Sequence, residues 1–502
     1  MTGTVTMLPE DKYNKALVDA VHPVDWENPT ADGVYDMISI GAGAAGLITA
    51  LGARGLGKKV AIIERNLLGG DCLNVGCVPS KGVIRAAHAA ANVRDAGEFG
   101  VNVEGYSVDF GAVMERMRRL RSSIAPHDSA ERFQSMGIDI YLGDGTFTSR
   151  NTIEVGGQTL KFKKACIATG ARAAAPPIPG LDTVDYLTNE TVFSLTELPP
   201  TIAVIGAGPI GCELAQSFAR FGSEVTLIEA IHGILPREDA DAAEFVKQSL
   251  LRDGIKLLCC GKNTTIEPAD GNKKRITLDS HEESYDITID HILVAVGRAP
   301  NIDGLGLDEA GVKFTRQGVV VDDHLQTSNP AIFAAGDICF PYKFTHAADA
   351  TARIVVRNAF FGIPGFKAKA SKLIMPWATF TDPEIAHVGK YPTELEKAGV
   401  TFDTVTVQLS DNDRAILEGD EGVLKVHVRK GNGTILGATL VARHAGEMIS
   451  EMTTAMVHGI KLQKMTSVIH PYPTQSEVFK RAGDEYFKTW LFGLRDKILF
   501  WK

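Results

Sequence analysis

The sequence predicts an α/β protein of several domains, and three observations carry that prediction. At 502 residues the chain exceeds what one hydrophobic core supports, which argues for about three or four domains. One pattern of apolar strand, glycine-rich turn, helix and second strand occurs twice, over residues 36–64 and 201–229. Apolar content of 44%, charged content of 23% and 50 glycines describe a globular chain with many tight turns, not a fibrous or disordered one.

The repeat comes first because it is the most specific. DMISIGAGAAGLITALGARGLGKKVAIIE and TIAVIGAGPIGCELAQSFARFGSEVTLIE align without a gap. In each, the first glycine (Gly41, Gly206) permits a tight turn and the second (Gly43, Gly208) lets backbone approach a pyrophosphate. The third (Gly46, Gly211) lets helix and strand pack closely, while the helix N-terminus offers free N–H groups to the anion. Glu64 and Glu229 close each unit as acceptors for a ribose 2′-hydroxyl and would repel a 2′-phosphate, which favours NADH over NADPH. A lone glycine turn that merely links strand to helix is the blander reading; here strand, turn, helix and acid all occur, twice. The fold class expected is therefore two Rossmann-like dinucleotide-binding domains. Two dinucleotides on one chain suggest a resident flavin and a visiting nicotinamide, without saying which unit holds which.

A net charge of −9 argues against a nucleic-acid partner, which would need a basic face. The first residues show no basic stretch followed by an apolar core, and no run of 18 apolar residues occurs, so the chain reads as cytoplasmic. Seven scattered cysteines do not form a secreted disulfide framework. Only Cys72 and Cys77, in GGDCLNVGCVPSKG, have a deliberate setting. In an ideal helix their Cα atoms would lie roughly 8.7 Å apart, beyond the ~7 Å a disulfide tolerates. A bridge there needs a distorted turn, which Pro79 would supply by crowding the carbonyl of Val75. Zinc is the competing chemistry, but no second CxxC-like pair supplies further ligands, and no metal ligand is assigned. Cys259 and Cys260, in IKLLCCG, read as a buried strand in preference to a second redox pair, Cys166 and Cys212 as packing, and Cys339 as an unassigned thiol.

CLNVGCVPSK, ACIATGARAAAPPIPG, AVGRAPN, TSNPAIFAAGD and HPYPTQSE, with the two cradles, resemble the flavoprotein disulfide reductases from about residue 35 onward. RSSIAPHDSAERF and YKFTHAADATARIV resemble the mercuric-reductase-like branch of that family. The resemblance implies an N-terminal extension (1–34), an FAD domain (35–186, resumed at 316–375), an NAD domain (187–315) and an α+β C-terminal dimerisation domain (376–502) that makes a homodimer. It implies FAD on Gly41, Gly43, Gly46, Glu64, Lys81, Gly145, Gly170 and Asp337, with Lys81 paired to Glu213, and NAD(H) on Gly206, Gly208, Gly211, Glu229 and Gly297. Electrons would pass from NADH through the flavin to a Cys72–Cys77 disulfide, with Cys77 on the flavin side and Cys72 facing a small-molecule or metal-ion acceptor. A positive helix end and Lys81 would keep both thiols reactive near neutral pH.

The C-terminal motif points to the acceptor. Lipoamide and glutathione reductases place histidine before Pro-Thr as acid–base partner; here the residue is Tyr472, with Glu477 five positions later, as in mercuric reductases. Tyrosine, with an ordinary pKa of about 10, is a poor proton shuttle at neutral pH, and His470 is a candidate substitute. The leading expectation is an Hg(II) or soft-metal reductase, although a terminal vicinal cysteine pair and an N-terminal metal-carrying domain are not in the sequence. The alternatives are a dihydrolipoamide dehydrogenase-like enzyme and a non-catalytic flavin-bound redox sensor. Residues 485–502 form a basic amphipathic pattern that suggests packing on the dimer or weak membrane-surface contact. Residues 1–34 suggest a mobile arm or a strap on the partner subunit.

Overall fold

Met37–Ile40, Val60–Glu64, Ile138–Leu142, Ala165–Ile167 and Ile332–Ala334 are short, mostly apolar runs, and in the computed structural model they form one parallel five-stranded sheet. Residues 5–362 and 365–499 are described, with side chains as far as residue 489. Alternation along the strands sends Met37, Val60, Ile62 and Ile140 to one core and Ile38, Ala61, Ile63 and Tyr141 to the other. A parallel sheet covered on both faces needs such near-continuous apolar strands. Helices Ala44–Gly55 and Thr345–Phe361 pack together on one side. Gly52 permits that approach, since a Cβ there would meet Val356 Cγ2 at 2.9 Å.

The chain divides into two compact units. One holds the described residues up to Pro177 together with Asp185–Pro199 and Leu293–Leu373; the other holds Ile178–Val184, Pro200–Ile292 and the chain from Ile374 onward.

The N-terminal extension is no loose arm over its described part. Asp11 caps helix Lys12–Val21 by accepting the N–H groups of Tyr13 and Asn14 and pairs with Arg118 at 2.6 Å. Leu17, Val18 and Val21 enter the core, Trp26 Nε1 donates to the carbonyl of Ile140, and Asn28 bridges to the backbone of Leu142. Burial and hydrogen bonding of this segment, not its terminal position, decide its order.

In the second unit Thr201–Ile205, Glu224–Ile228 and Lys256–Leu258 pair in parallel, and helix Pro209–Phe221 follows the first of these strands. Lys262–Pro268, Lys274–Ser280 and Glu283–Ile289 make an antiparallel sheet. The strand ends at Leu258, so Cys259 and Cys260 lie in the turn after it and not within a strand as the sequence suggested; Cys260 has a left-handed φ of 59°, which ends the extended run. Beyond residue 375 an antiparallel sheet runs in the order Pro376–Thr379, Glu384–Gly389, Ile435–Ala442, Val423–Arg429, Phe402–Gln408, backed by helices Ala445–Val457 and Glu477–Leu499. Within this last helix Tyr486 is buried and Phe487 exposed. Trp490, Leu491, Leu494 and Ile498, on which the amphipathic pattern depended, lie outside the described side chains. No described helix is long and apolar enough to cross a membrane.

Candidate active site

The first cradle has the geometry its glycines require. Gly41 takes a φ of 96°, and a Cβ there would stand 2.4 Å from the carbonyl oxygen of Ala168. A Cβ on Gly46 would stand 1.8 Å from the oxygen of Gly41. Gly43, the N-cap of helix Ala44–Gly55, meets nothing closer than Gly70 Cα at 3.8 Å. Two glycines therefore serve the packing, and the third leaves the helix N-terminus open to an anion. Glu64 Oε2 accepts the Ala42 N–H at 2.6 Å and Oε1 that of Asn66 at 2.8 Å. Burial pushes its carboxyl above the usual range, against those two bonds. Each oxygen keeps a lone pair for a ribose hydroxyl, so the residues fit a dinucleotide.

The second cradle repeats this nearly atom for atom. Gly206 has a φ of 103°, its N–H donates to Ile228 as that of Gly41 does to Ile63, and nothing lies within 4 Å of a Cβ built on Gly208. Gly211 is buried in the first turn of helix Pro209–Phe221. Glu229 accepts the N–H groups of Ala207 and Ile231 at 2.8 and 3.0 Å. Glu213, on the same helix, accepts the Phe380 N–H.

The cysteine pair is built directly onto the first cradle. Gly69 and Gly70 are both left-handed, with φ of 87° and 58°, and a Cβ on Gly70 would meet Gly43 Cα at 2.8 Å. The short helix Gly70–Asn74 carries Cys72 and breaks at Val75 and Gly76; helix Cys77–Arg94 then starts on Cys77 itself. Pro79 cannot donate to the Val75 carbonyl, and Asn189 Nδ2 donates to it instead at 3.3 Å. Gly76 supplies the room at the break, where a Cβ would meet the Asp71 carbonyl at 2.7 Å. Both cysteines are thiols, Cys72 half-buried and Cys77 exposed. The neighbouring Cys77 sulfur, then burial, push the Cys72 thiol up, with the Asp128 charge adding to this and a Thr345 hydrogen bond opposing it. Cys72 is thus not held low as the sequence suggested, because two adjacent sulfurs cannot both ionise freely.

Around the pair stand residues that motif reading left without roles. Thr345 Oγ1, at the start of helix Thr345–Phe361, lies 3.6 Å from Cys77 Sγ. Arg298, in AVGRAPN, pairs with Asp71 and donates to the carbonyl of Ala171; its Nε lies 3.5 Å from Asp337 Oδ2. Burial raises the Asp337 carboxyl, against the pull of Arg298. Asp128 and Thr345 sit in the two segments that resembled the mercuric-reductase-like branch, which was the available signal for both. Lys81 is half-buried on helix Cys77–Arg94. A Cβ on Gly145 would meet Ile63 Cγ2 at 2.9 Å, and Gly170 is left-handed at 66°. Gly297, with a φ of 72°, falls in the unit that carries the first cradle.

Tyr472 and Glu477 belong to the other unit. Tyr472 is 72% exposed and its hydroxyl donates to Asp413 Oδ2 at 2.9 Å, which pushes its pKa up. Glu477 Oε2 is buried with no hydrogen-bond partner among the described residues. His470 is committed elsewhere, with Nε2 3.0 Å from Glu451.

Comparison with known proteins agrees with this layout. The family description "Pyridine nucleotide-disulphide oxidoreductase" matches residues 35–352, and its dimerisation domain matches residues 375–483. A mercuric reductase of Staphylococcus aureus is 34% identical over 90% of this chain and 82% of its own length. A dihydrolipoyl dehydrogenase of Geobacillus stearothermophilus is 32% identical over 89% and 95%. Among solved structures, the HOCl-induced flavoprotein disulfide reductase RclA from Escherichia coli superposes with a TM-score of 0.78 at 28% identity, covering 89% of this chain and 99% of that one. The protein is an FAD-dependent oxidoreductase that uses a nicotinamide dinucleotide, and the dimerisation-domain match supports a homodimer. Paired cradles, adjoining thiols and matches along nearly the whole chain lead to one conclusion: the chain belongs to the pyridine nucleotide-disulphide oxidoreductase family.

Proposed function

We propose that this enzyme oxidises NADH and passes two electrons by way of Cys72 and Cys77 to a thiophilic acceptor, Hg(II) or a related soft metal ion. The observation that carries this is the pair of thiols on either side of a helix break, the first of them on a short helix whose Gly70 abuts Gly43 of the first cradle. FAD would be held by Gly41, Gly43, Gly46, Glu64, Lys81, Gly145, Gly170 and Asp337, and when bound it supplies the two-electron relay between nicotinamide and thiols. Gly206, Gly208, Gly211 and Glu229 would bind the NADH, with the Glu229 carboxylate excluding a 2′-phosphate. These ligand sets divide the chain into an FAD domain (35–186 with 316–375), an NAD domain (187–315) and a dimerisation domain (376–502).

Cys77, at the first position of an 18-residue helix, stands at the positive end of the helix dipole, which favours a negative sulfur. Cys72 keeps its proton until a soft ion displaces it and bonds to sulfur, which thiolates prefer to hard cations. Tyr472, neutral at pH 7 with its hydroxyl donated to Asp413, does not act as a base. The overall change balances as NADH plus Hg(II) giving NAD⁺, a proton and Hg(0). Thiol chemistry of this kind suits a reducing compartment, and a cytoplasmic location is part of the proposal.

The similarity to dihydrolipoyl dehydrogenases favours a second reading, a thiol–disulfide exchange with lipoamide. It requires a proton acceptor before Pro-Thr, where Tyr472 instead donates to Asp413. Following NADH oxidation with Hg(II) in excess thiol, and separately with lipoamide, tests the choice. Turnover with lipoamide and none with the metal overturns the first reading.

A further inference from the structure

A second group of soft ligands converges at the end of the second cradle's sheet, and neither the redox pair nor the nucleotide cradles use it. Strand Lys256–Leu258 delivers Cys259 and Cys260. His232 comes from the loop after Glu229, and His281 from the two-residue tip of the hairpin that pairs Ser280 with Glu283. One ligand atom each from His232, Cys259 and Cys260 lies within 4.8 Å of the other two. Cys260 Sγ is 3.5 Å from His232 Nδ1, and Cys259 Sγ is 3.4 Å from His281 Nε2. In a tetrahedral site with metal–nitrogen bonds of about 2.05 Å and metal–sulfur bonds of about 2.3 Å, sulfur and nitrogen stand about 3.6 Å apart. The observed spacings therefore already match edges of such a coordination shell.

Backbone and access agree with a built site. Cys260 and His281 take left-handed φ values of 59° and 56°, two of six such non-glycine residues among those described. Conformations of this kind persist where the surroundings over-determine them and concentrate at functional sites. Here the Cys260 N–H donates to the Ile231 carbonyl at 3.0 Å, and Ser280 Oγ donates to the Cys259 carbonyl at 2.6 Å. Cys259 is buried, Cys260 half-buried and His232 exposed, and a groove lined by Lys262, Glu282, Glu283 and Tyr285 leads to Cys260 and His281. Glu282 and Glu283 in its lining outweigh the single charge of Lys262 and favour a cation.

We propose that Cys259, Cys260 and His232 bind a thiophilic metal ion, with exposed His281 rotating in as a fourth ligand. Two thiolates with imidazole select Zn(II), Cu(I), Cd(II) or Hg(II) over hard cations such as Mg(II), and binding releases the thiol protons. The site is independent of which acceptor Cys72 and Cys77 serve.

The test uses the full-length flavin-loaded protein carrying Cys72→Ser and Cys77→Ser, so that the redox pair cannot bind the probe. Titration with Co(II) under anaerobic conditions should saturate at one ion per chain and develop thiolate-to-cobalt absorption. One equivalent of Zn(II) should displace it, and excess Mg(II) should not. Adding Cys260→Ser or His232→Gln, at positions that are not fully buried, should weaken binding more than about tenfold, while bound flavin and far-ultraviolet circular dichroism stay unchanged. His281→Gln should weaken it less. Absence of saturable binding in the Cys72→Ser/Cys77→Ser protein, displacement by Mg(II), or unchanged affinity in both ligand variants overturns the proposal.

Discussion

Gly43→Ala and Gly46→Ala, two residues of one turn three positions apart, should fail in different ways. A real Cβ essentially never approaches within 3.0 Å of a neighbour, and one on Gly46 would stand 1.8 Å from Gly41 O, so 1.2 Å of overlap with backbone must be relieved. Gly41 cannot yield easily, because its own N–H is bonded to Ile63 O at 2.8 Å. Gly46→Ala should therefore cost about 3 kcal/mol or more of stability, at the upper end for overpacking. Gly43 has an ordinary φ of −76° and 3.8 Å of clearance, so Gly43→Ala should leave the flavin-free fold within roughly 1 kcal/mol of the parent. Its methyl group would stand where the pyrophosphate approaches the helix N-terminus. Loss of one charge-assisted hydrogen bond there, about 1.5–3 kcal/mol, lowers FAD affinity roughly ten- to a hundredfold. Urea unfolding of the flavin-free protein and fluorescence titration with FAD measure the two effects separately. Gly208→Ala, with nothing within 4 Å, should weaken NADH binding and leave FAD unaffected. If Gly43→Ala binds FAD as the parent does, the open side of the cradle does not face a phosphate and the assignment of the first turn is wrong.

Other perturbations follow from the same geometry. Cys72→Ser or Cys77→Ser should abolish acceptor reduction while FAD stays bound; surviving turnover would make the pair structural. Arg121 is 1% exposed and donates to the Asn74 carbonyl and Asn14 Oδ1, so Arg121→Ala should destabilise by about 3 kcal/mol in urea unfolding, and a loss below about 1 kcal/mol would refute its role behind the Cys72 helix. Burial raises Glu384 from 4.5 to about 7, so the folded state binds this proton more tightly than the unfolded state. Its contribution is full below pH 4.5 and is lost as pH rises through 7, by roughly 3 kcal/mol. Glu384→Gln should remove that slope between pH 5 and pH 8, and an unchanged slope would refute the assignment. Tyr472→Phe removes the bond to Asp413 and should slow metal-dependent turnover without changing the unfolding midpoint; an unaffected rate would remove the phenol from the reaction.

What could be read from the chain alone was local. Strand, turn, helix and acid of each cradle lie within some thirty residues, and Glu64 reaches back only 22 positions to Ala42, so glycine spacing and strand pattern determined the geometry before any tertiary contact was known. The distorted turn between Cys72 and Cys77 was legible for the same reason, since Pro79 acts on a carbonyl four residues away. Gly70, the second of the two glycines before Cys72, was visible but unexplained, because its cause is Gly43, which only the folded chain brings against it. Contacts that complete the site span distances no pattern encodes: Thr345 stands 268 positions from Cys77 and Arg298 stands 227 from Asp71. Cys259 and Cys260 read as part of a buried strand because they end an apolar run, and the histidines that give them another meaning arrive from a separate loop and a hairpin tip. Local sterics and hydrogen-bond valence act through neighbouring residues and can be read in order. Which distant side chains share a site depends on how sheets stack and hairpins turn, and only the tertiary structure decides that.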